Sequence, residues 1–167
     1  ILAGSRHPSG DALAPAAENY TAEFRGGLRE TILRVLDRLE LCRTNLIVEP
    51  WHQSFFYQPE EIRSFLDEVD HPRFGLHLDQ MNMVGQQSFF HTGDLIRRTF
   101  ELLANNVVSV HVKDVSCDAR HLFLKYDECA IGDGVMDMPA YLRALATLDA
   151  DMPCYLEHMK EEKDYVM

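Results

Sequence analysis

Short apolar runs that end in a charged or metal-binding side chain recur along the chain. Residues 108–112 have the composition of a strand buried on both faces, yet this run carries His111 and leads directly into Lys113 and Asp114. Three further runs end in the same way: 45–48 before Glu49, 74–78 before Asp79, and 153–156 before Glu157. Because core strands do not normally finish in charged groups, the pattern predicts one convergent site at the carboxyl ends of four strands.

The segments between these runs have helical spacing. Apolar residues recur three or four apart in 21–43, from Phe24 to Leu39, and in 93–104. Pro59 followed by two acids predicts another helix start, and Asp137 is a plausible N-cap for a last helix. The residues of that last helix expected to face inward are Tyr141, Leu142, Leu145 and Leu148. Strict alternation of strand and helix predicts a parallel sheet with helices outside it.

Two parallel architectures fit this alternation, the doubly wound sheet and the eight-stranded (β/α)8 TIM barrel. The doubly wound sheet usually carries a glycine-rich phosphate loop, which this chain lacks, whereas barrel enzymes draw site residues from several strand ends. The barrel is therefore favoured. We count five strands, beginning at Ile1, Leu46, Phe74, Val107 and Pro153. We expect residues 1–167 to be a single domain covering strands 4 to 8, with the first three strands in about 100 preceding residues or in another chain.

Composition narrows the class of partner. The chain has 16 Lys+Arg and 27 Asp+Glu, a formal charge of −11, which disfavours nucleic acid and anionic membranes as partners. Its four scattered cysteines suit a reducing cytoplasm, and neither a leader nor a membrane-length apolar run is visible. The expected partner is a small sugar or polyol, with homo-oligomerisation left open.

The motifs around these strand ends resemble a known family. Ile-Val-Glu49-Pro, His-Leu-Asp79-Gln-Met-Asn82, Val-His111-Val-Lys113-Asp114, the Gly-Asp-Gly turn at 132–134 and Leu-Glu157-His158 follow one another as in the xylose isomerase-like barrels. That family includes sugar phosphate isomerases and epimerases, and its superfamily includes apurinic-site endonucleases. The resemblance covers essentially the whole chain.

Site residues follow from this resemblance. It implies that Glu49, Asp79, His111 and Glu157 hold a divalent ion, most often Mn²⁺, with Mg²⁺, Co²⁺ or Zn²⁺ as substitutes. In the family's epimerases the two ligand glutamates are also the acid/base pair, which gives Glu49 and Glu157 catalytic roles, and Lys113 joins them as a candidate. The candidate substrate-binding residues are Arg6, Trp51, Asn82 and His158.

Two positions depart from the epimerase pattern. Asn82 stands where some epimerases have a histidine three residues after the ligand aspartate. Cys117 stands where they carry an arginine six residues after the ligand histidine. His77 lies in mid-strand and is interpreted as a core histidine, and Glu128 is a candidate supporting residue near the site.

The residue types favour the same chemistry independently. Three carboxylates and one imidazole suit a divalent ion of the manganese class better than structural zinc. Such an ion acidifies the C–H bond beside a carbonyl by stabilising an enediolate, and carboxylates can move the proton. The leading hypothesis is a metal-dependent isomerase or epimerase of a sugar, sugar phosphate or related polyol. The alternatives are a lyase or dehydratase acting on a keto-polyol or oxidised glycoside, a non-catalytic sugar-binding subunit, and, disfavoured by the charge, a nuclease.

Overall fold

A computed structural model describes residues 1–39, 43–118, 120, 122 and 125–157. Helices and strands alternate along this part of the chain. The helices are α1 (Ala22–Leu39), α2 (Pro59–Val69), α3 (Thr92–Leu103) and α4 (Met138–Leu145). The strands are β1 (Leu46–Val48), β2 (Phe74–Asp79), β3 (Val107–Val112), β4 (Asp114–Cys117), β5 (Tyr126–Cys129) and β6 (Cys154–Leu156).

The main sheet is parallel, and its strands lie in the order β1-β2-β3-β6. A parallel bridge between Leu2 and Glu49 adds the first residues of the chain beside β1, where a strand was predicted at 1–4. Strands that are neighbours in this sheet are also consecutive along the chain, and the segment that connects each pair contains a helix. This order confirms the predicted α/β class with a parallel sheet, and it is the winding of a TIM barrel.

Local sequence signals explain where the helices begin. α2 begins at Pro59 with Glu60 and Glu61 in its first turn, and the Asp137 side chain caps α4 by accepting a hydrogen bond from the Ala140 amide. One inward-facing prediction was wrong: Leu142 is 54% exposed because its neighbour Tyr141 occupies the buried face. Leu39, the last apolar position of the helical pattern in α1, is 58% exposed. No described helix is long and apolar enough to cross a membrane.

Aromatic packing fixes the helices on the sheet. Five phenylalanines from α1, the loop after β1, α2 and β2 form a chain of edge contacts with ring centroids 5.4 to 6.3 Å apart: Phe24, Phe55, Phe56, Phe65 and Phe74. Tyr141 on α4 is 1% exposed and donates its hydroxyl to the carbonyl of His111 at 2.9 Å. Helix α4 is thereby tied to the strand residue on which the site depends.

The connection after β3 contains a hairpin that the sequence did not predict. Strands β4 and β5 pair antiparallel, and the fully buried Asp114 at the start of β4 anchors the loop that follows β5. Its carboxylate accepts backbone N–H groups from Val115, Gly132, Gly134 and Met136 at 2.8 to 3.1 Å. Asp114, expected among the charged groups of the site, instead holds this loop against the sheet.

We predict that Gly134→Ala destabilises the protein. A Cβ at position 134 would overlap with Asp114 Oδ1 and with the Val115 carbonyl oxygen, so the loop would have to move. Overpacking of this kind costs about 1–3 kcal/mol of unfolding free energy. The control is Gly26→Ala, on the exposed part of α1 with open space around it, which should stabilise by up to about 1 kcal/mol. Urea unfolding of both variants measures this; equal stability in the two would contradict the anchoring role of Asp114.

Candidate metal centre

The parallel register brings the four predicted ligands to one end of the sheet. Asp79 ends β2 and lies directly beside His111 of β3. Glu49 follows β1 and Glu157 follows β6, so the two glutamates stand at opposite ends of the four-stranded sheet. This is the carboxyl edge of the strands, where barrel enzymes place their sites.

The four side chains converge on His111. Its Nδ1 lies 3.4 Å from Glu49 Oε1, 3.4 Å from Asp79 Oδ2 and 3.1 Å from Glu157 Oε2. One ligand atom from each of the four residues lies within 4.8 Å of the others. The structure therefore brings together all four residues that the sequence predicted as ligands, in a space the size of one coordination sphere.

Lys113 is the cation of this cluster. Its Nζ lies 2.8 Å from Asp79 Oδ2, 2.7 Å from Glu157 Oε2 and 3.5 Å from Glu128 Oε1, and its side chain is 4% exposed. Burial works to lower the pKa of Lys113, but Asp79 and Glu157 outweigh it and hold the pKa well above its usual range. The lysine therefore stays charged and offsets part of the carboxylate repulsion.

The close spacing of the charged side chains also shifts the pKa values of Glu49, Asp79 and His111. Burial, followed by the negative charge of Asp79, raises the pKa of Glu49 to about 7. Burial also works to raise the pKa of Asp79, but His111 and Lys113 outweigh it and hold the pKa below its usual value. Contact with Asp79 raises the pKa of His111 in turn. Asp79 is therefore the carboxylate whose ionised form is favoured, whereas Glu49 is partly protonated near pH 7, and a metal ion bound there would displace that proton.

The cluster fits a divalent ion. Asp79 Oδ2 and His111 Nδ1 are both buried, and neither has a hydrogen-bond partner among the described residues; the contact between Oδ2 and Lys113 is an ion pair without hydrogen-bond geometry. Buried polar atoms are costly unless something satisfies them, and these two face each other at 3.4 Å. Three carboxylates, one imidazole and one ammonium leave two negative charges, which a divalent ion would neutralise.

Asn82 supports the cluster directly. Its side-chain Nδ2 donates to Glu49 Oε1 at 3.2 Å, and its backbone N–H donates to Asp79 Oδ1 at 3.1 Å. The sequence proposed Asn82 as a substrate contact, which stays a prediction. Its contacts with two ligand carboxylates could be anticipated only from its spacing of three residues after Asp79.

The other three predicted substrate contacts are Arg6, Trp51 and His158. The guanidinium of Arg6 lies 5.7 Å from the centroid of the Phe24 ring, on α1, and the structure does not bring it to the cluster. Trp51 is 7% exposed and closes its own loop, its backbone N–H donating to the Phe56 carbonyl. His158 lies outside the described residues. The substrate-binding roles of Arg6, Trp51 and His158 stay predictions.

Residues from the loops after β1 and β2 and from the β4–β5 hairpin line an aromatic cleft of about 580 Å³. It is lined by His52, Tyr57, Gly85, Gln86, Phe90, Leu122 and Tyr126. Of the four aromatic residues after β1, Trp51, Phe55 and Phe56 are buried and only Tyr57 reaches this cleft. The cleft has the size of a small-molecule site.

Comparison with known proteins agrees with this geometry. The chain belongs to the xylose isomerase-like TIM barrel family, whose model matches residues 3–166. No curated protein matches the chain in sequence.

Solved structures share the fold at low identity. A xylose isomerase-like TIM barrel protein from Mycobacterium smegmatis in complex with magnesium is 17% identical with a TM-score of 0.66, covering 91% of this chain and 53% of its own. D-allulose 3-epimerase from Methylomonas sp. in complex with D-allulose is 20% identical with a TM-score of 0.64, and the match covers 91% of this chain and 48% of the epimerase. The Bacillus anthracis protein AsbF, named as the probable 3-DHS dehydratase involved in petrobactin synthesis, is 15% identical with a TM-score of 0.67. The match covers 87% of this chain and 54% of AsbF. The chain thus spans about half the length of these structures.

We predict that metal affinity rises with pH up to neutrality. Because the pKa of Glu49 is about 7, a metal ion binding below pH 7 must displace at least one proton from the cluster. The affinity for Mn²⁺ should therefore fall by at least about tenfold for each pH unit from 7 to 5. Titration calorimetry in buffers of different ionisation enthalpy measures both the affinity and the protons released. An affinity that is flat over this range, without proton release, would contradict the assigned ligands.

Proposed function

We propose that this protein is a metal-dependent isomerase or epimerase acting on a sugar or related polyol. The observation that carries the proposal is the placement of the two glutamates. Glu49 and Glu157 follow strands at opposite ends of the sheet, and both lie within 3.4 Å of His111 Nδ1, with Asp79 between them. A substrate held at the cluster would therefore have a carboxylate on each side, which suits removal of a proton by one and its return by the other.

The ligands of the ion would be Glu49, Asp79, His111 and Glu157. A divalent ion, when bound there, would polarise a substrate carbonyl and the neighbouring hydroxyl and so acidify the C–H bond between them. Manganese is the expected metal, with magnesium, cobalt or zinc as substitutes, because carboxylates dominate the ligand set. Asn82 would hold Glu49 in a fixed orientation through its hydrogen bond to Oε1, so that the second carboxylate oxygen can face the substrate.

Lys113 has a separate role in this proposal. Its ammonium is held by Asp79 and Glu157 beside the place where an enediolate oxygen would develop negative charge. A fixed cation that is already oriented stabilises such charge without the cost of reorganisation. Glu128, 3.5 Å from Nζ, would keep the lysine in position from the hairpin side.

A neutral sugar suits the surroundings better than a sugar phosphate. The chain carries a formal charge of −11, and Arg6, the one cation among the predicted substrate-binding residues, packs on Phe24. The aromatic cleft lined by Tyr57, Phe90 and Tyr126 offers ring faces that can cover the C–H face of a sugar. The cytoplasmic location expected from the cysteine usage belongs to the same proposal.

Elimination is the second candidate reaction. It begins with the same proton abstraction but ends with loss of a hydroxyl or alkoxide group from the neighbouring carbon. The fold shared with AsbF, named as a probable dehydratase, keeps this candidate open. Lys113 is better placed to stabilise an oxyanion than to protonate a leaving group, since its raised pKa makes it a weak acid. Epimerisation is therefore preferred.

The first test follows protons by NMR in deuterated water with added Mn²⁺. Ketohexoses, ketopentoses, inososes and keto-glycosides are incubated in turn with the protein. We expect deuterium to enter the carbon beside the carbonyl of one class, with formation of its epimer or isomer. The control variant Glu157→Gln should bind the same sugar but lose exchange. Release of an unsaturated product would replace epimerisation with elimination, and sugar binding without exchange would favour a non-catalytic subunit.

The second test separates the metal ligand from the catalytic cation. His111→Ala should lose metal, because it removes the residue on which the three carboxylates converge. Lys113→Met should keep or strengthen metal binding, because it releases Asp79 and Glu157 from an ion pair, while kcat falls on the order of 100-fold. His91→Ala, at an exposed position before α3, is the matched control. Metal content by atomic emission and kcat at saturating Mn²⁺ measure the two effects. Equal metal loss in the His111 and Lys113 variants would contradict this division.

A further inference from the structure

His77 lies on the same face of its strand as the ligand Asp79. The two residues are two apart in β2, so both side chains point to the inside of the barrel. The register pairs Asp79 with His111 and His77 with Ser109, which places His77 and Ser109 one layer below the four-ligand cluster. His77 is 8% exposed, as expected of the core histidine that the sequence indicated, but it is not surrounded by apolar groups alone.

The neighbours of His77 are themselves metal ligands. Glu49, His77 and His111 each offer one ligand atom, and these three atoms lie within 4.8 Å of one another. The two imidazole rings are nearly perpendicular, at 88°, with centroids 4.1 Å apart. Two imidazoles and one carboxylate therefore meet in a second set that overlaps the first in Glu49 and His111.

The orientation of His77 is fixed by its strand neighbour. Its Nδ1 lies 2.6 Å from Ser109 Oγ, and Ser109 is itself 5% exposed. Metal-binding histidines are commonly held in this way, with one ring nitrogen bonded to an outer group.

The two sets favour different metals. The upper set, with three carboxylates and one imidazole, suits manganese and magnesium. The lower set, with two imidazoles and one carboxylate, suits zinc and related borderline ions, and the same donor composition occurs in catalytic zinc sites. Because the sets share Glu49 and His111, an ion in the lower position would withdraw two ligands from the upper position.

We propose that Glu49, His77 and His111 form a second, nitrogen-rich ion position that takes a zinc-class ion in competition with the manganese-class ion above it. One ion is held at a time. Zinc at the lower position would leave Asp79 and Glu157 to Lys113, as in the contacts that the lysine already makes. The position reaches beyond the proposed isomerase activity, since it concerns which metal the protein selects.

The test compares Zn²⁺ and Mn²⁺ binding to the metal-free protein by calorimetry at pH 7.5, the upper side of the Glu49 pKa. His77→Phe keeps an aromatic ring against His111 and removes the ring nitrogens; it is combined with Ser109→Ala so that no buried hydroxyl loses its partner. We expect the Kd for Zn²⁺ to rise at least about tenfold and the Kd for Mn²⁺ to change by less than about threefold. The visible absorption of bound Co²⁺ should also change in the variant, which reports the ligand set without any turnover.

Two further variants keep the outcome decisive. Ser109→Ala alone leaves His77 in place and removes its orienting hydroxyl, so it should weaken Zn²⁺ selectively even if the double variant fails to fold. His91→Ala should change neither affinity. Unchanged Zn²⁺ affinity in the His77 and Ser109 variants, or equal weakening of Zn²⁺ and Mn²⁺, would overturn the second position. If the proposed isomerase activity is wrong, only the deuterium-exchange assay will show it. The metal-binding results do not depend on turnover.

Discussion

Repulsion among closely spaced carboxylates is the constraint on which the site depends. Asp79, Glu49 and Glu157 come within ion-pair distance of one imidazole nitrogen, and two of them are also within 2.8 Å of the Lys113 ammonium. Without such compensation, buried carboxylates would take up protons or move apart. The negative charge of the three carboxylates is therefore compensated by the Lys113 ammonium and by bound protons. A metal ion would displace those protons.

The backbone imposes this crowding. In a parallel sheet, neighbouring strands deliver residues of one register row to the same depth, so Asp79 and His111 are adjacent without any help from side-chain packing. The hydroxyl of Tyr141 then fixes the carbonyl of His111 from the helix side. The candidate metal ligands at the inner face and the packing of α4 at the outer face thus meet at one residue, and a shift of α4 on the sheet would alter the position of His111.

Much of this arrangement could be predicted because it follows from short-range patterns. Apolar runs ending in Glu49, Asp79, His111 and Glu157 gave the strands and their site, and Pro59 and Asp137 gave helix starts. The hairpin could not be predicted, since β4 and β5 have four residues each and polar side chains interrupt their alternation. The role of Asp114 depends on backbone groups about twenty residues away, and the exposure of Leu142 depends on which of two adjacent apolar residues the sheet accepts.

The buried Asp114 has a consequence for substrate recognition. Loops whose backbone N–H groups point inward are natural phosphate-binding concavities, and the turn at residues 132–136 is built in that form. Here the chain fills the concavity with its own carboxylate. The amides of Gly132, Gly134 and Met136 therefore bind Asp114 and are not available to the phosphate group of a sugar phosphate. A loop of this shape could bind phosphate only if Asp114, which holds its conformation, were replaced.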